Sequence, residues 1–170
     1  TQKNIPTDPG DTGQAQEWGA VETDATGWGT MVLPQGWQAA GLDYSGVLWF
    51  RREVDIPAAW AGKDLSLNVG ACDKNDLTFF NNVKVGSLTM ADRPDAWCTP
   101  RSYTVPGRLV RAGRNAVAVR VFSNMYQGGM IGPSGTMWVA PADAPPDHRI
   151  RLAGERRYKV EQNFGKIEVT

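Results

Sequence analysis

The chain has 170 residues, and its 18 Lys plus Arg balance 18 Asp plus Glu, so the formal net charge is zero. This length is enough for one domain with a hydrophobic core of its own. The balanced charge excludes the basic footprint that binds nucleic acid or anionic lipid, and no apolar run is long enough to span a membrane. Seven Trp, 19 Gly and 11 Pro, with few stretches of helical periodicity, favour an all-β protein.

The N-terminal sequence, TQKNIPTDPGDTGQAQEW, is polar and rich in Pro, Gly, Asp and Gln. This composition predicts a tail or linker over residues 1–16. The stretch has neither an initiating Met nor a basic segment followed by an apolar one. We therefore expect the chain to be cut from a larger protein whose targeting signal lies elsewhere.

Short alternating segments separated by turn residues follow along the chain. Residues 47–56, 65–69 and 117–121 alternate in the manner of half-buried strands. Asn81-Asn82 predicts a tight hairpin, because Asn tolerates a positive φ better than most residues. The alternation also predicts which side chains form the core between two facing sheets, namely Leu48, Phe50, Leu67 and Val119.

The spacing of these strands predicts the architecture. Strands recur about every ten residues with turn signals between them, which is typical of a β-sandwich or barrel. No fixed internal period is present, so a propeller or solenoid is not favoured. We predict one sandwich domain over residues 17–141, a Pro-rich connector over 142–148, and short closing strands with a tail over 149–170.

Nucleophilic catalysis has little support in the sequence. The segment at 132–135, GPSG, lacks the GxSxG spacing of a serine-hydrolase elbow. The single histidine, His148, follows the Pro-rich connector and is interpreted as a solvated linker residue. Cys72 and Cys98 either pair in an oxidising compartment or remain two free thiols, and the second interpretation is favoured.

Pairs of acidic residues occur in two polar segments, Asp73 with Asp76 and Asp92 with Asp95. Glycosidases need two facing carboxylates, and a structural Ca²⁺ takes carboxylate oxygens. Asp in such segments more commonly caps the backbone of a loop, and the spacing matches no known calcium loop. We therefore predict no catalytic residue, no metal and no cofactor.

Aromatic side chains are the remaining candidates for binding. Trp28, Trp37 and Trp49 lie within or beside predicted strands, so we expect them in the core or covering a sheet. Trp97 and Tyr126 instead lie in loops rich in Gly, Pro and Asp. A Trp or Tyr at a loop end can stack on the apolar face of a sugar ring.

Three polar loops, 73–76, 92–101 and 124–129, are expected to carry any ligand site, because loops at one end of a sandwich carry adaptable chemistry. Asp and Asn can bind vicinal hydroxyls, and Arg can donate two parallel hydrogen bonds to a carboxylate. The aromatic rings can stack on a sugar. The alternative is that these loops dock onto another domain and bury Trp97 there. The candidate ligand-binding residues are Asp73, Asp76, Trp97, Arg101, Asn124 and Tyr126.

The order of several motifs resembles a known module. It is similar to the galactose-binding-like, jelly-roll domain of family 2 glycosidases, and in detail to the version inserted into bacterial sialate O-acetylesterases. The resemblance covers about residues 17–160. Glycines at 128, 129 and 132 and the segment LAGERRYKV (152–160) also fit it. The main stretches are WGTMVLPQGW (28–37), GLDYSGVLWFRREVDIP (41–57), WAGKDLSLNVGACDKNDLTFFNNVKVG (60–86) and RSYTVPGRLVRAGRNAVAVRV (101–121).

Three departures from this pattern matter. Asn82 stands where the family usually has Gly, which leaves the turn intact but less free. Arg156 stands where the esterase pattern usually has Trp, so we expect the exit segment to pack differently. The GxSN-like and DxxH motifs that carry the esterase Ser and His are absent from this sequence. The resemblance therefore implies that the catalytic domain lies outside this chain.

The resemblance implies a non-catalytic scaffold or glycan-binding sandwich of a periplasmic or secreted sialate O-acetylesterase. Such a parent enzyme hydrolyses acetyl esters on sialic acid or other glycans. The expected partners are a glycan and the catalytic domain of the same parent chain. One alternative is the sugar-binding domain of a family 2 glycosidase, of the β-galactosidase or β-glucuronidase type. Another is a stand-alone interaction module without sugar affinity.

Overall fold

The computed structural model describes residues 5–167 and 169, which contain β-strands and short 3-10 helices but no α-helix. The strands are β1 (Gly29–Leu33), β2 (Gln35–Gly36), β3 (Ser45–Ile56), β4 (Leu65–Asp73), β5 (Asn75–Phe80), β6 (Val83–Leu88), β7 (Pro100–Val105), β8 (Gly113–Ser123), β9 (Gly129–Ala140), β10 (Ile150–Arg151) and β11 (Gly154–Gly165). The 3-10 helices span Ala58–Trp60, Ala96–Cys98, Gly107–Leu109 and Pro146–His148. The predicted all-β class is confirmed.

The strands form two antiparallel sheets that pack against each other. One sheet has six strands in the order β1-β11-β3-β8-β5-β6. The other has the order β10-β9-β4-β7, and β2 pairs with β9. This arrangement confirms the predicted β-sandwich of jelly-roll type.

The main core fills the space between the two sheets. Leu48, Phe50 and Val119 point inward from the six-stranded sheet and meet Leu67 and Val139 of the other sheet. Each of these side chains is at most 2% exposed. The strand phase predicted from alternation is therefore correct.

A second, smaller core covers the opposite face of the six-stranded sheet. Trp49 stacks on Phe79 with ring centroids 4.9 Å apart, and Trp18 meets Trp49 edge-on at 5.8 Å. Aromatic pairs in such geometries add about 0.5–1.5 kcal/mol beyond the burial of their area. Trp37 lies in the main core and Trp28 is half-buried at the edge of the second one.

The N-terminal segment lies against this second core, although it contains no strand. Gly13 approaches Trp49 so closely that an added Cβ would lie 2.5 Å from the indole, which only glycine avoids. The amide of Gly13 donates to the Glu161 carboxylate at 3.1 Å. Residues 5–16 of the predicted tail are thus packed on the sheet, while the domain boundaries stay predictions.

Arg120, whose side chain is buried, holds this segment through charged hydrogen bonds. Its Nη1 and Nη2 donate to the Asp8 carboxylate at 2.6 and 2.8 Å, and Nη2 also donates to Glu161 at 2.7 Å. Glu161 in turn accepts the indole N–H of Trp49 at 2.9 Å. Burial disfavours the charged form of Asp8, but hydrogen bonds and the charge of Arg120 outweigh it and lower the pKa of that carboxyl.

The predicted hairpin is confirmed at Asn81-Asn82. β5 ends one residue before the pair and β6 begins one residue after it. Both residues have positive φ, 49° and 65°, as a two-residue type I′ turn requires. The side chain of Asn82 also accepts the amide of Gly19 at 3.3 Å, which attaches the N-terminal cover to the hairpin.

The C-terminal region forms more structure than short closing strands. β11 is 12 residues long and lies between β1 and β3 in the six-stranded sheet. The predicted connector over 142–148 includes the 3-10 turn Pro146–His148.

Cys72 is a buried free thiol and Cys98 an exposed one.

No helix in the described part of the chain is long and apolar enough to cross a lipid bilayer.

Val119→Ala should lower the free energy of unfolding by about 2 kcal/mol, because buried methyl groups are lost and a cavity remains. Val119 is 2% exposed, whereas Val32 is 61% exposed. Val32→Ala removes the same atoms from the surface and should cost less than about 0.5 kcal/mol. Urea denaturation measures both values, and equal losses would contradict the assigned strand phase.

Arg120→Met should release residues 5–16 from the sheet, because Asp8 and Glu161 lose the cation that they share. Hydrogen exchange followed by mass spectrometry should show faster exchange in this segment. Arg93→Met, which removes an exposed ion pair with Asp95, is the matched control and should leave the segment protected.

Acid should release the same segment. The folded-state pKa of Asp8 is depressed below its ordinary value of 3.8, so its stabilising contribution is present above that value. The contribution is lost as the pH falls through the lowered pKa. Exchange of residues 5–16 that is unaffected both by acid and by Arg120→Met would show that other contacts hold the segment.

Candidate functional site

The three predicted loops lie at one end of the sandwich, where β4, β6 and β8 end and β5, β7 and β9 begin. Two basic side chains connect them. Arg101 donates from Nη2 to the carbonyl of Lys74 at 2.9 Å. Lys74 donates from Nζ to the carbonyls of Met125 and Gln127, the latter at 3.1 Å. The structure therefore brings the predicted loops together.

Asp76 and Arg101 form a buried ion pair rather than an open ligand site. Both side chains are 0% exposed, and Arg101 Nε donates to Asp76 Oδ1 at 2.8 Å. Asp76 also accepts hydrogen bonds from the hydroxyls of Thr78 and Tyr103 at 2.7 and 2.9 Å and from the amide of Leu88 at 3.1 Å. Burial and the adjacent carboxylate raise the pKa of Tyr103 above its usual range.

This network corrects the expectation that Asp76 and Arg101 contact a ligand. The remaining donors of Arg101 bind backbone carbonyls of the surrounding loops, at Lys74, Leu88, Ala96 and Thr99. Every N–H donor of Arg101 is used in this way, so none remains for the carboxylate of a ligand. The pair instead fixes the loops relative to the sheets.

Asp73 is also turned inward, at 8% exposure, with its carboxylate 3.6 Å from Lys74 Nζ. Burial raises the pKa of Asp73 and lowers that of Lys74, while their mutual attraction opposes both shifts. Only one residue separates β4 from β5 here, so the predicted loop at 73–76 is a tight connection. Asp73 therefore supports the turn.

The three other candidates are more accessible. Asn124 is half-buried and donates from Nδ2 to the carbonyl of Pro6 at 3.2 Å. Trp97, in the 3-10 turn Ala96–Cys98, is 47% exposed. Tyr126 is 66% exposed and is the most accessible large apolar side chain among the described residues.

Tyr126 lines a cavity of about 290 Å³. Gln38 fixes the loop beside it, because Nε2 donates to the carbonyl of Tyr126 at 3.0 Å and Oε1 accepts the amide of Gly128 at 3.0 Å. The backbone of Tyr126 is held in the left-handed region at φ 54°. Other residues lining the cavity include Asp43, Tyr44, Gln127 and Lys166.

This cavity combines the groups that a neutral, hydroxylated ligand requires. The aromatic ring of Tyr126 offers a flat apolar surface, and the amide of Gln127 can both donate and accept hydrogen bonds. Asp43 and Lys166 form an exposed ion pair of 3.3 Å in the same cavity. Trp97 is not among its lining residues.

Sequence reasoning identified Tyr126 but missed Gln38 and Tyr44. Gln38 lies 88 residues from Tyr126 in the chain, and it meets the loop only through the folded topology. The signal that was present is the stretch at 35–44, QGWQAAGLDY, which has turn residues and amides but no strand alternation. Such a stretch is typical of a loop that can carry binding groups.

The single histidine does not line this cavity. His148 is exposed at the end of the 3-10 turn Pro146–His148. Within residues 5–167 and 169, no three His, Cys, Asp or Glu side chains are grouped closely enough to hold a metal ion.

No family model matches this sequence, and no curated protein matches it. Among solved structures, the chain is similar to β-glucuronidase from Ruminococcus gnavus, with 21% identity and a TM-score of 0.42 over 49% of this chain and 13% of that chain. The complex of that enzyme with D-glucuronic acid gives the same identity and TM-score over 14% of its chain. The match thus spans a small part of the glucuronidase, and a similarity of this level assigns no activity to this chain.

The β-sandwich agrees with the galactose-binding-like fold that the sequence resemblance implies. The sialate O-acetylesterase parent is not confirmed by these comparisons.

Arg101→Met should lower the free energy of unfolding by about 3–5 kcal/mol, because it leaves the buried Asp76 carboxylate without its cation. The matched control is Arg114→Met, which breaks the ion pair of Glu53 with an arginine that is 66% exposed and should cost far less, because solvent screens an exposed pair. Urea denaturation compares the two. A small loss for Arg101→Met would show that its network is not structural.

Proposed function

We propose that this chain is a non-catalytic carbohydrate-binding module of a glycan-processing hydrolase, and that its sugar site is the cavity beside Tyr126. The observation that carries the proposal is an exposed aromatic ring on a fixed loop, with amide and charged side chains around it. Small-molecule sites commonly combine an apolar surface with a few convergent polar groups. A sugar ring satisfies both through its C–H face and its hydroxyls.

The fixed loop supports this proposal on energetic grounds. Lys74 holds the carbonyls on one side of the loop, and Gln38 holds the amide of Gly128 and the carbonyl of Tyr126 on the other. A loop that is ordered before binding loses less conformational entropy when the ligand arrives. The small, open cavity corresponds to weak binding, with a Kd on the order of 1 mM.

A non-catalytic role is supported by the position of the only histidine. Nucleophilic hydrolysis needs a base within hydrogen-bond reach of a nucleophile. The imidazole of His148 is exposed and makes no hydrogen bond to another described residue. His148 therefore gives no support to hydrolysis of this kind within the chain.

A second candidate function is docking to the catalytic domain of the same parent chain. Trp97 is 47% exposed and Met90 is 38% exposed, and both belong to the segment between β6 and β7. Large apolar side chains exposed on one segment favour a protein contact. Docking through this segment would leave the cavity beside Tyr126 to a glycan.

The parent enzyme is proposed from the sequence resemblance, as a periplasmic or secreted sialate O-acetylesterase, with a family 2 glycosidase as the alternative. The coding sequence on either side of this chain distinguishes them. A GxSN motif upstream and a DxxH motif downstream would support the esterase. A downstream barrel domain with paired Glu residues would support the glycosidase.

Titration of the chain with galactose, sialic acid and acetylated xylan fragments, followed by amide NMR shifts, tests the sugar site. At concentrations of about 10 mM, at least one sugar should shift resonances of residues 37–44 and 124–128. Tyr126→Ala should abolish these shifts because the stacking surface is removed. Trp97→Ala removes an exposed aromatic ring outside the cavity and should leave them unchanged.

Two outcomes would contradict this assignment. If no sugar moves either group of resonances, sugar binding is wrong and docking remains. If the shifts depend on Trp97 and not on Tyr126, the sugar binds at the segment between β6 and β7.

A further inference from the structure

The six-stranded sheet separates at one end, between β3 and β11. The two strands pair from Ser45 with Gly165 as far as Arg51 with Arg157. Beyond that point β3 continues to Ile56 paired only with β8, and β11 extends back to Gly154 paired only with β1. The separation leaves unpaired strand edges facing each other.

A cleft of about 570 Å³ opens at this separation, roofed by the loop 21–26. Its volume lies within the roughly 300–1,000 Å³ typical of small-molecule sites. Four acidic side chains also line it, Glu22, Asp24, Glu53 and Glu155. The basic residues of the cleft are five arginines, Arg51, Arg52, Arg114, Arg156 and Arg157.

Two of these arginines hold the roof and its start, and a third is paired with an acidic residue of the cleft. Arg51 Nη2 donates to the carbonyls of Ala20 and Val21 at 2.6 and 3.2 Å. Arg157 Nη1 donates to the carbonyl of Thr26 at 3.4 Å. Arg114 forms a two-pronged pair with the Glu53 carboxylate, at 2.6 and 3.2 Å. The guanidinium groups of these three arginines are therefore engaged by other groups of the protein.

Arg52 and Arg156 remain without an acidic partner among the described residues. Arg52 donates to the carbonyl of Arg151, and Arg156 donates from Nη1 to the carbonyl of Glu155 at 2.9 Å. Arg156 is 6% exposed, and its Nη2 is buried without any hydrogen-bond acceptor, as is Nε of Arg51. Buried charged donors without partners are rare because they lose hydration without compensation.

The pKa values of Arg156 and Arg52 reflect the same burial. Burial, and secondarily the positive charge of Arg52, lower the pKa of Arg156 to about 9. Burial alone lowers the pKa of Arg52. The side chains of Arg52 and Arg156 also line a small apolar recess with Phe50, Val69 and Leu152, which accounts for their burial.

We propose that this cleft binds a hydroxylated monocarboxylate of the sugar-acid type, with its carboxylate on Arg52 and Arg156. Guanidinium groups recognise carboxylates through paired, charge-assisted hydrogen bonds. The unfilled Nη2 of Arg156 is the donor that such a carboxylate would satisfy. This site is separate from the cavity beside Tyr126, and the proposal does not depend on that cavity.

The acidic residues of the cleft decide between classes of anion. Four carboxylates in the same cleft repel a multiply charged ligand such as a polyphosphate or a nucleic acid. They can instead accept hydrogen bonds from the hydroxyls of a ligand that carries a single negative charge. Thr23 and Thr26, on the roof, are further polar residues that line the cleft. A hydroxylated monocarboxylate fits both features.

Calorimetric and NMR titrations of the whole chain with D-glucuronate and with D-glucose test this proposal, because these probes differ in one carboxylate. Glucuronate should bind with a Kd on the order of 1 mM, raise Tm and shift resonances of residues 21–26 and 154–157. Glucose should cause none of these changes in the cleft. Inorganic phosphate at equal concentration should bind at least about tenfold more weakly.

Variants then locate the contact. Arg156→Met should weaken glucuronate binding about tenfold or more, because one charge-assisted pair is lost. Without ligand this variant should have an equal or higher Tm, since a buried unpaired charge is removed. Arg52→Met changes a more accessible residue and should give the same loss of binding. Arg108→Met, at an exposed arginine outside the cleft, should leave binding unchanged.

Several results would overturn the proposal. They are no cleft shifts with glucuronate, equal shifts with glucose, tighter binding of phosphate, or unchanged affinity in both Arg52→Met and Arg156→Met. The same titration on Tyr126→Ala separates the two sites. Glucuronate shifts in the cleft should persist in that variant even if all binding at the Tyr126 cavity is lost.

Discussion

The burial of β3 on both of its faces is the constraint on which the rest of the structure depends. Leu48 and Phe50 face the core between the sheets, while Trp49 faces the second core. Antiparallel sheets commonly leave one face to solvent, but this sheet carries an aromatic patch on its outer face that needs a cover. Residues 5–28 supply it. The aromatic patch is therefore closed to ligands, while the cavity beside Tyr126 lies at the loop end and the arginine-lined cleft lies where β3 and β11 separate.

The cover is polar in composition, so charged groups hold much of it in place. Beside the aromatic patch, Arg51, Arg120 and Arg157 project from the same face of β3, β8 and β11 and bind carbonyls or carboxylates of the covering segment. Each guanidinium has several donors in a fixed plane, so one side chain can hold a segment that has no regular structure. Arg101 has the same role at the loop end, where it donates hydrogen bonds to the carbonyls of Lys74 and Leu88 and to the Asp76 carboxylate.

Local pattern predicted the strands well, because a period of two residues directly reports which side chains share a face. The phase of β3, β4 and β8 and the Asn81-Asn82 hairpin followed from it. The packing of residues 5–16 and the burial of Asp76 with Arg101 did not. Their polar sequences resemble solvated loops, and the partners that bury them are distant in the chain, 112 residues for Asp8 and Arg120 and 25 for Asp76 and Arg101. Tyr126 could be proposed from its loop, whereas Gln38 became visible only in the fold.

The buried arginines of this molecule differ in their hydrogen-bond partners. This difference separates arginines that hold the fold together from one that is available to a ligand. Arg101 and Arg120, each 2% exposed, have carboxylate partners at 2.8 Å or less. Arg51 has two backbone carbonyls and Glu53 at 3.6 Å, so it has a carboxylate nearby although its Nε is unfilled. Arg156 is buried to a similar degree but has one carbonyl and an unfilled donor. A buried guanidinium with an unfilled donor and no carboxylate partner among the described residues loses its hydration without compensation, so Arg156 favours an anion-binding role over packing.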